Sequence, residues 1–226
     1  MVLSAWSDAP RHARFVDFAG GRAYFKLSAL AGKSRVRHAL KRALLRAPLP
    51  RLAEFANLSW LRDHGFAAPE PLAAGALWQR GLPSFQFLLT REVAGARTLG
   101  TFLTETPAGS ERAAVLEELA STVARMHAAR FLHHDLFARN ILVAGTSPAN
   151  RIWLLDCWAG GPPPQARGPA YDLACLTLAL STEEQARTLE TYTGARRAQD
   201  PGFDLDRFSR SVARDRDALA RKLASP

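Results

Sequence analysis

The feature that most constrains this 226-residue chain is a spacing: His133-His134-Asp135-Leu136-Phe137-Ala138-Arg139-Asn140, followed 21 positions after Asp135 by Asp156. Between Asn140 and Asp156 lie two short apolar runs, Ile141-Leu142-Val143 and Ile152-Trp153-Leu154-Leu155, which read as a hairpin about a polar turn. A lone Asp in such a loop is ordinarily a turn or capping residue. An Asp, an Asn and a second Asp in this order, bounded by apolar strands, carry more. One carboxylate can orient a hydroxyl and take its proton, while an amide oxygen and the other carboxylate suit a hard cation.

The rest of the chain supplies a frame for these groups. Arg14-Phe15-Val16-Asp17-Phe18 and Ala23-Tyr24-Phe25-Lys26-Leu27 are β-prone runs about Gly20-Gly21, a hairpin with Lys26 at the end of its second strand. From Gly32 to Arg51 the chain is strongly basic and closes on Pro48 and Pro50. Leu52, Phe55, Leu58 and Leu61 then recur at three-residue steps before Gly65, the mark of an amphipathic helix. Strands are expected around Leu72 to Trp78 and Phe85 to Thr90, separated by a turn at Gly81-Leu82-Pro83-Ser84. After Glu92-Val93-Ala94-Gly95 the pattern turns helical. A helix runs from a Ser110 N-cap with Leu116, Leu119, Val123 and Met126 on one face. Tyr171 to Leu180 reads as a buried helix, and residues 204–223 as a helix solvated on one side. The expected architecture is α+β and two-lobed: a small antiparallel-sheet N-lobe, 1–93, and a mainly helical C-lobe, 94–226.

The loop at 133–142 resembles the protein-kinase catalytic loop H-R-D-L-x-x-x-N, with His134 in place of the Arg. Phosphoryl transfer needs a carboxylate on the attacking hydroxyl and metal ions on the phosphates. Asp135 is the expected base, and Asn140 and Asp156 the expected Mg²⁺ ligands, Asp156 standing where a kinase places its D-F-G aspartate. Lys26 is the candidate cation for the phosphates of ATP, with Glu54 on the following helix as its ion-pair partner and Glu70 as the alternative partner. Asp172 reads equally as a helix-dipole partner or as a buried carboxylate supporting the catalytic-loop backbone. Trp153 and Trp158, flanking Asp156, read as core.

Several tempting patterns fail. Gly32-Lys33-Ser34 ends like a Walker A motif, yet Leu27 occupies the position that needs its first glycine. His127, His133 and His134 do not complete a zinc geometry. No G-x-G-x-x-G precedes Phe15, which leaves the segment Ser7 to His12, with Arg11, as the candidate phosphate cover.

Composition narrows the partners. The 30 Lys+Arg against 21 Asp+Glu leave a formal charge of +9, which favours an anionic partner. Cys157 and Cys175 are too few for a disulfide framework, and a reducing cytoplasm fits them. No run approaches the roughly 18–20 apolar residues of a membrane span, so the expectation is a soluble or peripheral protein. The basic stretch 33–51 is free of aromatics, which argues against nucleic acid.

Taken together, Tyr24-Phe25-Lys26, the basic insertion before Glu54, Trp60-Leu61-Arg62-Asp63-His64-Gly65 with Pro69, Met126-His127-Ala128, His133-His134-Asp135, Asn140, Asp156 and Tyr171-Asp172-Leu173-Ala174 resemble the bacterial lipopolysaccharide core kinases of the Kdo/WaaP group. The resemblance implies an ATP- and Mg²⁺-dependent kinase acting on a heptose or Kdo hydroxyl of a lipid-linked sugar acceptor. It places the protein in the cytoplasm, peripheral at the inner membrane, with residues 33–51 open to an anionic membrane surface. His134 and the Pro-rich 160–169 segment depart from the family pattern. Two alternatives stand beside it: a small-molecule phosphotransferase of aminoglycoside or choline type, against which the +9 charge argues, and a non-catalytic pseudokinase or membrane-binding module.

Overall fold

A computed structural model describes residues 11–144, 152–162 and 167–224, and the chain separates into two compact units. The first comprises Met1–Asp63 and Pro69–Val93, the second His64–Ala68 and Ala94–Pro226.

In the first unit β1 (Arg11–Phe18) and β2 (Gly21–Ala29) pair antiparallel, with Phe18 opposite Gly21. β3 (Pro71–Gln79) and β4 (Leu82–Arg91) add to give one antiparallel sheet of order β1-β2-β4-β3. β2 runs on to Ala29, so Lys26 sits inside the strand opposite Leu88 rather than at its end. The β3–β4 turn is tighter than the sequence suggests. Only Arg80 and Gly81 separate the strands, with φ of 52° and 73°, the paired positive values of a two-residue hairpin turn. Pro83 falls within β4, opposite Trp78, beside a register shift that loosens the ladder there.

Two helices accompany this sheet. α1 (Gly32–Leu45) buries none of its residues. α2 (Pro50–Asp63) begins on a proline, whose fixed φ suits the first helical position, and packs on β3 and β4. Its buried stripe is Glu54, Asn57, Leu58 and Leu61, the i, i+3, i+4, i+7 pattern, whereas Leu52 and Phe55 are only half-buried. Burying Leu58 and Leu61 stabilises this packing by roughly 2 kcal/mol each. The same face carries Glu54 inward, where a carboxylate needs partners.

The second unit has a three-stranded antiparallel sheet, β5 (Arg97–Thr98), β6 (Ile141–Val143) and β7 (Ile152–Leu154). The β6–β7 hairpin is the expected one; β5, two residues long, carries no sequence signal of its own. α3 (Leu99–Glu105) starts on Thr98, whose hydroxyl accepts the Thr101 N–H. α4 (Ser110–Ala128) buries Leu116, Leu119, Val123 and Met126 as their spacing requires, but its N-cap is Gly109, with Ser110 as the first helical residue. α5 (Pro169–Thr177) is almost wholly buried and packs on α7 (Leu205–Ala224), while α6 (Thr182–Gln199) packs on α4. α6 opens on a capping box, Ser181 and Glu184 each accepting the other's backbone N–H. Trp158 is 44% exposed and is not a core residue. Among the described residues no helix is long and apolar enough to cross a membrane.

Candidate active site

The first unit contributes a buried ion triad. Lys26 Nζ lies 2.7 Å from Glu54 Oε1, and Arg51 Nη1 lies 2.6 Å from Glu54 Oε2. Glu54 is 1% exposed, so both of its oxygens are taken out of water and each meets a cation. Arg51 also ties the start of α2 to the sheet: its backbone N–H donates to Gln86 Oε1 and its Nε to Ser28 Oγ. Sequence reasoning paired Lys26 with Glu54 but missed Arg51, although its i, i+3 spacing to Glu54 on a helix was the available signal. Glu70 pairs instead with Arg91, at 2.5 Å on the surface.

The second unit holds the loop after α4. Its backbone is fixed from below by Asp172 on α5, which is fully buried. Asp172 Oδ2 accepts the His133 N–H and Oδ1 the His134 N–H, both at 2.7 Å. His127 Nε2, at the end of α4, adds a third bond at 3.1 Å, and Tyr192 Oη lies 2.8 Å from His127 Nδ1. Burial pushes the Asp172 carboxyl up, but the bond and charge of His127 and the His133 N–H outweigh it and hold the carboxyl below its usual range. Both readings open for Asp172 hold: it lies in the first turn of α5, and its carboxylate supports the backbone of the loop. The buried Tyr192 link, from α6, had no sequence signal beyond an isolated aromatic.

Asp135 and Asn140 are brought together within the loop. Asn140 lies in a single 3-10 turn, Ala138–Asn140, and its side-chain N–H donates to the Asp135 carbonyl at 2.8 Å. That bond fixes which end of the amide is oxygen, leaving Oδ1 as the group for a hard cation. The Asp135 carboxylate receives Arg139 Nη2 at 2.9 Å. Partial burial raises its pKa, Arg139 works against the rise, and the charge of Asp156 adds to it. A carboxylate so raised is a better proton acceptor than an ordinary surface Asp. Beneath it His133 is fully buried, and burial holds its imidazole below the usual value; Nδ1 accepts the Asp135 N–H at 3.3 Å.

Asp156 follows β7 with φ of 57°, and His134 has φ of 62°. Both lie in the left-handed region, sparsely used by non-glycine residues and often found where a site over-determines its backbone. Farther on, the backbone leaves no room for a side chain at Gly160: a Cβ there would stand 2.1 Å from the Leu132 carbonyl oxygen and 2.6 Å from that of His133. The absent side chain lets Gly161 and Leu132 exchange two backbone hydrogen bonds, joining the segment after Asp156 to the loop that carries Asp135. His134 extends this link, with Nδ1 3.2 Å from the Ala159 carbonyl and Nε2 2.9 Å from that of Arg167. Residues 7–10 of the expected phosphate cover, and 163–166 of the Pro-rich segment, lie outside the described residues; Arg11 and His12 begin β1.

A mixed sheet-and-helix first unit with an internal Lys–Glu pair, and a helical second unit with an Asp-x4-Asn loop and a following Asp, define a protein-kinase-like fold. Comparison with known proteins refines the class: residues 8–184 match the lipopolysaccharide kinase (Kdo/WaaP) family, and the chain belongs to it. It is 36% identical over 105 residues to a 3-deoxy-D-manno-octulosonic acid kinase of Actinobacillus succinogenes. It is 33% identical over 104 residues to one of Vibrio vulnificus. Each match takes in 46% of this chain, and the chain spans 42% and 41% of the length of those relatives. Among solved structures, WaaP in complex with acyl carrier protein superposes with a TM-score of 0.60 at 20% identity, over 95% of this chain and 84% of that one.

Proposed function

We propose that the protein transfers the γ-phosphoryl group of ATP to a sugar hydroxyl, heptose or Kdo, of the lipopolysaccharide core. The observation that carries this reading is the braced loop: Asp172 fixing its backbone, Asn140 locked to the Asp135 carbonyl, and a raised Asp135 carboxyl at its centre. Family membership and the similarity to Kdo kinases support this acceptor class. Under this reading residues 1–93 form the nucleotide-binding lobe and 94–226 the catalytic one.

Lys26, held by Glu54, offsets phosphate charge in the first lobe. In the second, Asp135 orients the acceptor hydroxyl and takes its proton as the new O–P bond forms and the bond from the γ-phosphorus to the β,γ-bridging oxygen breaks, releasing ADP. Asn140 Oδ1 and the Asp156 carboxylate are oxygen donors of the kind Mg²⁺ prefers, and would hold it. When bound, the metal neutralises charge developing on the phosphates. The acceptor, being lipid-linked, brings the protein to an anionic surface at the inner membrane, with the basic residues 33–51 toward it.

The test is incubation of the protein with ATP, Mg²⁺ and de-phosphorylated lipopolysaccharide core, with mass spectrometry of the product. A gain of one phosphate on Kdo or heptose, absent with Asp135→Asn, is expected. Phosphate on an aminoglycoside or choline, and none on the core, would replace the acceptor assignment.

A further inference from the structure

α1 is attached to its unit by one side only. The Arg35 guanidinium donates to the carbonyls of Pro83 at 3.2 Å and Gln79 at 3.1 Å and to Ser84 Oγ at 2.9 Å, and Arg42 lies 5.6 Å from the centre of the Trp78 ring. At about 100° of turn per residue, Leu44 stands opposite Arg35, and Val36 and Leu40 precede it at four-residue steps. These three side chains are 46%, 53% and 77% exposed from Val36 through Leu40 to Leu44. Lys33, Arg37 and Lys41 run beside them at the same interval and line the same surface. The usual order is inverted: Arg35 and Arg42 face the protein, while Leu40 and Leu44 face water. α1 holds no Asp or Glu to repel an anion.

We propose that α1 lies in the interface of an anionic lipid bilayer, with Val36, Leu40 and Leu44 among the acyl chains and Lys33, Arg37 and Lys41 at the headgroup phosphates. The stripe from Val36 to Leu44 is about 12 Å long and lies along the helix axis, which suits a helix resting in the membrane plane. Its side chains are aliphatic, and α1 has no Trp, Tyr or Phe, the anchors that mark protein interfaces. The three bases complement anionic headgroups directly. This deepens the reading of a surface-bound acceptor, yet it stands on α1 alone.

The experiment is co-sedimentation of the full chain, without nucleotide, with phosphatidylcholine vesicles and with vesicles containing phosphatidylglycerol, both free of any sugar acceptor. Wild type is expected to partition to the anionic vesicles. Lys33→Gln with Arg37→Gln and Lys41→Gln should lower partitioning on the order of a hundredfold. Val36→Ser with Leu40→Ser and Leu44→Ser should lower it at least about tenfold, with unchanged circular dichroism and thermal midpoint. No vesicle binding by wild type, or binding that both triple variants retain, overturns the proposal. So does vesicle-independent capture of an acidic acylated carrier protein, or a dimer in sedimentation that the Ser variant dissolves; either would assign the face to a protein. Because the vesicles carry no acceptor, failure here is distinct from failure of phosphoryl transfer.

Discussion

Glu54 is the residue on which the first unit turns. It sits at a position where the α2 stripe asks for an apolar side chain, and it is kept there by two cations, Lys26 and Arg51. Glu54→Ala removes the carboxylate that both mostly buried cations meet, and is expected to cost about 3–5 kcal/mol in denaturant unfolding. Equal stability of the variant and wild type would mean the triad is relieved by solvent. Asp172 plays the corresponding part in the second unit, and its effect depends on pH. Its folded-state carboxyl lies below the usual range, so its contribution is full above the unfolded value of about 3.9 and is lost as pH falls through the folded one. Asp172→Asn, able to accept on one oxygen only, should lose about 2 kcal/mol or more at neutral pH. Urea titrations into acid should show the gap narrowing as pH falls below about 4. A gap unchanged into acid would contradict the assignment of a charged Asp172.

At the level of elements, long periodic segments were legible and short or polar ones were not. α4 declares itself through Leu116, Leu119, Val123 and Met126, and the β6–β7 hairpin through two apolar runs. α6 does not, because it buries only Thr188, Tyr192 and Thr193 and offers no aliphatic stripe. The signal that could have found it is its start, Ser181 with Glu184 three residues on. The β3–β4 turn was misjudged because Pro83 looks like a turn residue, while the positive φ of Arg80 is invisible in its identity. In the sequence Gly160 only opens the Pro-rich 160–169 segment; its reason is a close approach to the Leu132 and His133 carbonyls that only coordinates reveal. Gly160→Ala forces that contact apart, and is expected to cost at least about 2 kcal/mol and to lower turnover along with stability. Thermal unfolding and initial rates on the same preparation check it; a fully stable, fully active variant would show that the loop and the following segment move independently.

For the molecule as a whole, the fold and the grouping of Lys26 with Glu54 and of Asp135 with Asn140 follow from residue order, since the spacing places each pair within one supersecondary unit. What order alone could not show is how the loop is held: Asp172 arrives from 39 residues beyond His133, and Tyr192 from 65 beyond His127. Nor does composition distinguish a solvated basic helix from one with its leucines turned outward, because both have the same residues on the same period. With Asp135 proposed to act on the acceptor and Asp172, His127 and Tyr192 as its support, substitutions should separate chemistry from folding. The most direct measurement is a single-turnover transfer from γ-labelled ATP to the lipopolysaccharide core, wild type against Asp135→Asn, with ATP affinity measured by calorimetry on both. The account predicts a rate loss of about 10²–10⁴ with ATP affinity kept within roughly threefold. Equal rates in the two proteins would contradict it.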